Sequence, residues 1–303
     1  MYIGIDLGGT NIAAGLVDDD GVVLLKDSVE TKATRPASDI IKDMAELVNK
    51  IIDESEFSRS NIKAVGIGIP GVADEASGEV IYCVNLNWEK VPLKKPLEEL
   101  LKLPVIIGND ATVAGVAEYG AGKMKGCKNG VFLTLGTGVG GGMIIDGKAY
   151  GGSHGVGSEI GHMVVGDNFY DCNCGRNGCL ETFASATALI KYAQKELDLG
   201  RKSNLEEHSG RLNAKLIFDG AKSGDELSVE TVDRLVHYLS IGISNLINIL
   251  DPDCFVIGGG VSKAGDFLIN KVRKEIEGMK SFASIESGRI EIATLENDAG
   301  IIG

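Results

Sequence analysis

Three cysteines and a histidine form the sharpest chemical pattern in the chain. Cys172-x-Cys174-x4-Cys179 follows His162, which lies ten residues before Cys172. Three thiolates and one imidazole are a donor set for tetrahedral Zn2+, and four protein ligands leave no open position, so the expected ion is structural. Gly175 and Gly178 let such a loop fold tightly. The plainer reading, three unligated thiols, fits poorly with this density of cysteine. The other three, Cys83, Cys127 and Cys254, are scattered and read as small buried apolar groups. In a reducing compartment the clustered thiols favour metal over a disulfide.

Carboxylates flank that pattern. Glu159 precedes His162 by three residues and Glu181 follows Cys179 by two. A zinc-pinned loop would anchor both, and carboxylates with Asn and Asp are groups that hold sugar hydroxyls. Either glutamate alone reads by default as a solvated side chain. Asn109-Asp110 ends a short strand and opens a helix. Spacing alone favours Asp110 as an N-cap; the functional alternative is a general base that takes a hydroxyl proton during attack on a γ-phosphate. Asp6 ends a buried-looking strand just before Gly8-Gly9-Thr10-Asn11. A buried acid needs a partner, either the N–H groups of its own turn or a hydrated Mg2+ bridging to phosphate.

Glycine clusters offer backbone N–H groups to phosphate, because no Cβ stands in the way. Gly66-x-Gly68-x-x-Gly71 and Gly136-x-Gly138-x-x-Gly141 both match the dinucleotide fingerprint literally. Pro70 inside the first and a strand after the second exclude that reading, since the fingerprint must open a helix. A Walker loop is absent: near Gly122-Lys123, Met124 replaces the required Ser/Thr and Ala117 the first Gly. Any one cluster can be a plain turn; three such clusters, each after an apolar strand, point to phosphate.

The elements that must position these groups alternate between strand and helix. Strands are expected at Tyr2 to Leu7, Ile12 to Val17, from Val22, Ala64 to Ile69, Pro104 to Ile107, Val131 to Leu135, Gly142 to Ile145, Phe255 to Ile257 and Ile290 to Leu295. Ser38 reads as the N-cap of a helix carrying Ile40, Ile41, Met44, Leu47, Val48, Ile51 and Ile52 at helical spacing. Further helices are expected after Asp110, at Thr182 to Leu197, Ala214 to Lys222, Val229 to Leu250 and from about Ala264. Leu7-Gly8-Gly9-Thr10 and Leu135-Gly136-Thr137-Gly138 are similar Gly turns between strands, which suggests two related α/β halves with a cleft between them.

Size and charge limit the alternatives. The chain has 303 residues, 44% hydrophobic and 24% charged, with a formal charge of −13. That is globular composition and fits two domains. No Lys/Arg block marks a nucleic-acid surface, and no stretch approaches the ~18 apolar residues of a membrane span. The start, Met1-Tyr2-Ile3-Gly4-Ile5-Asp6, shows no signal peptide, so a cytoplasmic location is expected. An acidic protein that binds a nucleotide needs backbone N–H groups and a divalent metal to hold it.

Taken together the motifs resemble the ROK family (repressors, open reading frames and sugar kinases) of the actin-like ATPase fold, over essentially the whole chain. Asp6-Leu7-Gly8-Gly9-Thr10-Asn11 resembles its first phosphate motif and Leu135 to Gly142 its second. Glu159-Ile160-Gly161-His162 and Cys172-Asn173-Cys174-Gly175-Arg176-Asn177-Gly178-Cys179-Leu180-Glu181 match its zinc signature. Gly258-Gly259-Gly260-Val261 resembles the adenosine-side motif, and Val84-Asn85-Leu86-Asn87-Trp88-Glu89 resembles the bacterial glucokinase branch.

The resemblance implies a two-domain α/β fold of the ribonuclease H-like type, with an interdomain cleft and a structural zinc loop. Residues 1–112 would form a small N-terminal domain and 113–303 a large one with a dimerisation surface, the last residues returning toward the small domain. It implies phosphorylation of the 6-hydroxyl of glucose by ATP. Asp110 would be the catalytic base, and Asn109, Asp110, Glu159, His162 and Glu181 would contact the sugar. Asp6, Gly8, Gly9, Thr10, Asn11, Gly136, Thr137, Gly138, Gly258, Gly259, Gly260 and Val261 would hold the nucleotide, Asp6 acting on Mg2+ through water. His162 would serve zinc with one nitrogen and sugar with the other. A homodimer is implied, with no nucleic acid or membrane partner. Family members continue past the position of Gly303 with a helix returning to the first domain, and domain closure would exclude water.

Alternatives on the same scaffold are kinases for N-acetylmannosamine, fructose, mannose or allose, a polyphosphate-using kinase, an actin-like scaffold and a sugar-responsive repressor. The repressor needs a DNA-binding region before the first phosphate motif, which here begins at Asp6; the scaffold does not need the glutamates beside the zinc pattern.

Overall fold

The computed structural model describes residues 1–281, 284 and 286–303. The chain forms two compact units: Met1–Gly126 with Gly142–Ser158 and Thr294–Gly303, and Cys127–Gly141 with Glu159–Ala293.

The first unit is built on a sheet in the order β3-β2-β1-β4-β8: β1 (Tyr2–Leu7), β2 (Asn11–Val17), β3 (Val23–Glu30), β4 (Val65–Ile69) and β8 (Val105–Asn109). Antiparallel β1–β2 pairing is closed by the Gly8-to-Thr10 turn, and β1, β4 and β8 run parallel. A meander of β5 (Val72–Asp74), β6 (Glu79–Cys83) and β7 (Trp88–Pro92) forms a separate three-stranded sheet. Ile3, Ile5, Leu7, Ile12 and Leu16 are buried with Ile40, Met44, Val48 and Ile51 of α1 (Ala37–Glu54). The apolar spacing of α1 therefore does what its periodicity predicts. Its start differs: Ala37 is already helical and Pro36 occupies the cap position, with ψ of 142° and no side-chain capping bond. Ser38 lies within the first turn, its hydroxyl toward Asp39.

α2 (Lys94–Leu101) precedes β8, and α3 (Asp110–Gly120) follows it directly. Asn109, not Asp110, is the N-cap: its side-chain oxygen accepts from the Thr112 N–H at 3.1 Å. The first unit is completed by late segments. The end of β10 (Val139–Ile145) pairs with β11 (Lys148–Ala149), and α9 (Ala299–Ile302) packs on β1 and β2. Gly4 permits that last approach, since a Cβ there would overlap the Ile301 carbonyl. Glu118, fully buried on α3, fastens the same return: its carboxylate accepts from the N–H groups of Lys123 at 2.8 Å and of Thr294 and Leu295 at 2.9 Å each.

In the second unit β9 (Gly130–Leu135), β12 (Cys254–Gly258) and β13 (Arg289–Ile292) run parallel, with Cys254 opposite Gly130 on one side and Arg289 on the other. β12 is buried at every position, as a central parallel strand must be. Around them lie α4 (Glu181–Ala184), α5 (Ala186–Asp198), α6 (Ala214–Ser223), α7 (Glu226–Leu250) and α8 (Asp266–Glu277). The helix expected over Thr182 to Leu197 is broken at Ser185, which is extended and whose hydroxyl caps α5 by accepting from the Ala188 N–H. The last strand stops at Ile292 rather than Leu295, where Glu296–Asp298 coil into a short turn of helix. Among the described residues no helix is long and apolar enough to cross a membrane.

Candidate phosphate turns and metal loop

In the first unit, register brings the polar groups to one end of the parallel strands. Asp6 is opposite Gly68 on β4, Gly68 is opposite Gly108 on β8, and Asn109 is opposite Ile69. Parallel sheets expose their ligand-binding groups at this carboxyl end. Burial raises the Asp6 carboxyl above its ordinary range. The adjacent turn is tight: the Gly8 N–H donates to the Asn11 carbonyl at 2.9 Å, and a Cβ on Gly8 would stand 2.9 Å from that oxygen. Thr31, fully buried, secures it, with its hydroxyl donating to the Gly8 carbonyl at 2.6 Å and its N–H to the Thr10 carbonyl at 2.8 Å. Thr31 has no sequence signal, since it belongs to no glycine cluster.

Asn109 uses both ends of its amide. The oxygen caps α3 while the Nδ2 group donates to the Gly71 carbonyl at 3.0 Å. Asp110 follows at the first helical position, one carboxylate oxygen accepting from the Ala111 N–H at 2.7 Å.

In the second unit the turn after β9 is closed by the Gly136 N–H donating to the Gly138 carbonyl at 3.0 Å, and the Gly136 carbonyl accepts from the Ala186 N–H at 2.8 Å. Thr137 lies between them. Gly258 ends β12, and Gly260 and Val261 open a short helical turn. Gly259 has φ of +82° and sits against the Leu135 backbone, so it is a fold glycine. Gly136 and Gly260 are different: a Cβ on either would meet nothing within 4 Å.

His162, Cys172, Cys174 and Cys179 come together, with their donor atoms all within 4.8 Å of one another. Cys172 Sγ is 3.6 Å from His162 Nδ1 and Cys174 Sγ is 3.6 Å from Cys179 Sγ. Zn–S bonds of ~2.3 Å in a tetrahedron give donor separations of about 3.7 Å, so the set fits zinc. Cys172 and Cys179 are buried and their thiols pushed up by burial, while Cys174 is exposed and held down to about 6 by the Arg176 backbone and side chain.

The loop around these donors is cross-tied. Asn177 Nδ2 donates to Asp171 and to the carbonyls of Asn168 and Tyr170, and its Oδ1 accepts from the Asn168 N–H. Asn168 and Tyr170 both donate to the Thr182 carbonyl, at 2.7 and 2.9 Å. Arg176 donates to the His162 carbonyl at 3.1 Å. Both glutamates are in the same cluster. Glu181 accepts from the Cys172 thiol at 3.2 Å through one oxygen and from the Val139 N–H at 3.3 Å through the other. Glu159 lies 3.9 Å from His162 Nε2.

Comparison with known proteins follows the same lines. The profile of the ROK family matches residues 2–303. A glucokinase of Halalkalibacterium halodurans is 38% identical over all of this chain and 93% of its own length. A glucokinase of Thermotoga maritima is 35% identical over 99% of this chain and 95% of its own. A ROK family glucokinase of Streptomyces griseus, solved with glucose and AMPPNP, superposes with a TM-score of 0.82 at 32% identity, covering 99% of this chain and 96% of that one.

Proposed function

The chain belongs to the ROK family, and from that premise we propose how its own residues carry phosphate to a sugar. The protein is an ATP-dependent kinase acting on glucose. The observation that carries the assignment of roles is the division of His162: Nδ1 lies 3.6 Å from the Cys172 sulfur and Nε2 lies 3.9 Å from Glu159. One imidazole thus serves a metal on one side and a hydroxyl on the other.

His162, Cys172, Cys174 and Cys179 hold a structural Zn2+, which supplies folding energy to the loop and no open coordination site. Glu159, His162 and Glu181 bind sugar hydroxyls, with Asn109 and Asp110. Asp110 accepts the proton of the 6-hydroxyl as that oxygen attacks the γ-phosphorus; a new O–P bond forms, the bond to the β-phosphate oxygen breaks, and ADP departs. The turns Gly8, Gly9, Thr10, Asn11 and Gly136, Thr137, Gly138 hold the phosphates, the Gly8 and Gly136 N–H groups closing the turns themselves, and Gly258, Gly259, Gly260 and Val261 serve the adenosine side. Asp6 orients a hydrated Mg2+, which when bound neutralises charge on the phosphates. The protein works as a cytoplasmic homodimer feeding glycolysis.

A coupled ADP-release assay tests this with ATP and Mg2+ against glucose, mannose, N-acetylmannosamine, fructose and allose. Glucose is expected to give the highest kcat/KM. Preference for another sugar would keep the residue roles and replace the substrate; turnover with polyphosphate but not ATP would replace the donor.

A further inference from the structure

Two cysteines outside the zinc loop lie against each other. Cys127 Sγ is 2.6 Å from Cys254 Sγ, inside the contact distance of two unbonded sulfurs. Both residues are buried, at 4% and 0% exposure. Their backbones are fixed by the sheet. Cys254 opens β12 opposite Gly130, and Asp253 just before it ties down the segment carrying Cys127, accepting from the Lys128 and Asn129 N–H groups at 2.7 and 2.8 Å. The Asp253 N–H returns a bond to the Asn129 carbonyl at 2.8 Å.

The pair is chemically asymmetric. Arg289, opposite Cys254 on β13, donates from Nη2 to Cys127 Sγ at 3.2 Å while its Nε pairs with Glu291 at 2.9 Å. The guanidinium contact distinguishes the Cys127 sulfur from its partner. Cys254 has its thiol pushed up by burial, which suits the partner that stays protonated until the second step. Arg289 itself is 45% exposed, so the side chain that touches Cys127 also reaches solvent. Cys83 is the internal contrast: also buried, its sulfur donates to the Pro70 carbonyl.

We propose that Cys127 and Cys254 are a peroxide-oxidisable dithiol that closes to an intrachain disulfide. Cys127 sulfur attacks one oxygen of a hydroperoxide, taking that oxygen as a sulfenic acid and releasing water or an alcohol. Cys254 sulfur then attacks the sulfenic sulfur, the S–S bond forms, the S–O bond breaks and a second water leaves. Two sulfurs lose one electron each and the O–O bond receives both. The bridge joins residues 127 positions apart, closing a loop that contains the Gly136 turn and the whole zinc cluster. A loop of this length constrains the unfolded chain strongly.

The test treats the full chain with hydrogen peroxide, blocks remaining thiols with iodoacetamide and maps unreduced peptides by mass spectrometry. The expected result is a Cys127–Cys254 linked peptide pair lighter by two hydrogens, reversed by dithiothreitol, with Cys83 still alkylated. The oxidised protein should melt several degrees above the reduced one, and Cys127→Ser should lose that increment while keeping basal turnover. Recovery of Cys127 and Cys254 as separate alkylated peptides, after peroxide has consumed the zinc-loop thiols, would overturn the proposal. So would equal melting points of the two forms of wild type.

Discussion

Cys172 Sγ lies 3.2 Å from a Glu181 carboxylate oxygen, so a carboxylate proposed for sugar and a sulfur proposed for zinc are neighbours. Displacing the sulfur must move the carboxylate. Chelation of the metal is therefore expected to raise KM for glucose roughly tenfold or more while KM for ATP changes little, the size usual for lost outer-shell partners. Cys174→Ala should lose the metal and much of the stability. A metal-free wild type that is fully active and equally stable would remove the zinc assignment.

Asp110→Asn tests the base. The amide keeps the shape at the head of α3 but accepts no proton, so kcat should fall roughly a thousandfold with glucose affinity retained. Isothermal titration with glucose and a turnover assay separate the two; unchanged kcat would move the base elsewhere.

Asp6 carries a pH signature. Burial raises its folded pKa above the ordinary 3.8. The native carboxyl therefore binds its proton more tightly than the unfolded chain does, and stability falls as pH climbs from 3.8 through the raised value. Above that window the buried charge remains a cost. Asp6→Asn should thus melt higher than wild type at pH 7 without metal, yet turn over far more slowly. A mutant that melts no higher would show that the carboxylate is already compensated.

Glu118→Ala would strand three backbone N–H groups that now share one buried carboxylate. The expected loss is about 3 kcal/mol, a fall in Tm of about 5 °C for a chain of this size. Differential scanning calorimetry reads it, and a shift of a degree or less would mean that water replaces the carboxylate.

Legibility in the sequence divides along physical lines. The zinc donors and glycine turns can be read from residue type and spacing, because ligand chemistry demands thiolates and imidazole and close turns demand glycine. Helix α1 shows its buried face through periodicity. The ends of elements do not show themselves so well: Pro36 displaces Ser38 as cap, Asn109 displaces Asp110, and Ser185 divides one apolar run into two helices. At each of these places several capping residues compete within a few positions. The three-stranded meander escapes notice because its strands run only 3 to 5 residues, too short for alternation to register. Thr31 and Glu118 escape for another reason, since their partners are remote in sequence or are backbone groups without identity.

The empty space beside Gly136 and Gly260 has a consequence for inheritance. An alanine at either position offends no neighbouring atom, so the altered chain would fold, survive proteolysis and accumulate like the normal one. With the nucleotide in the place proposed for it, a cell carrying such a chain would hold a full complement of well-formed but idle protein, a lesion that neither abundance nor melting behaviour would betray.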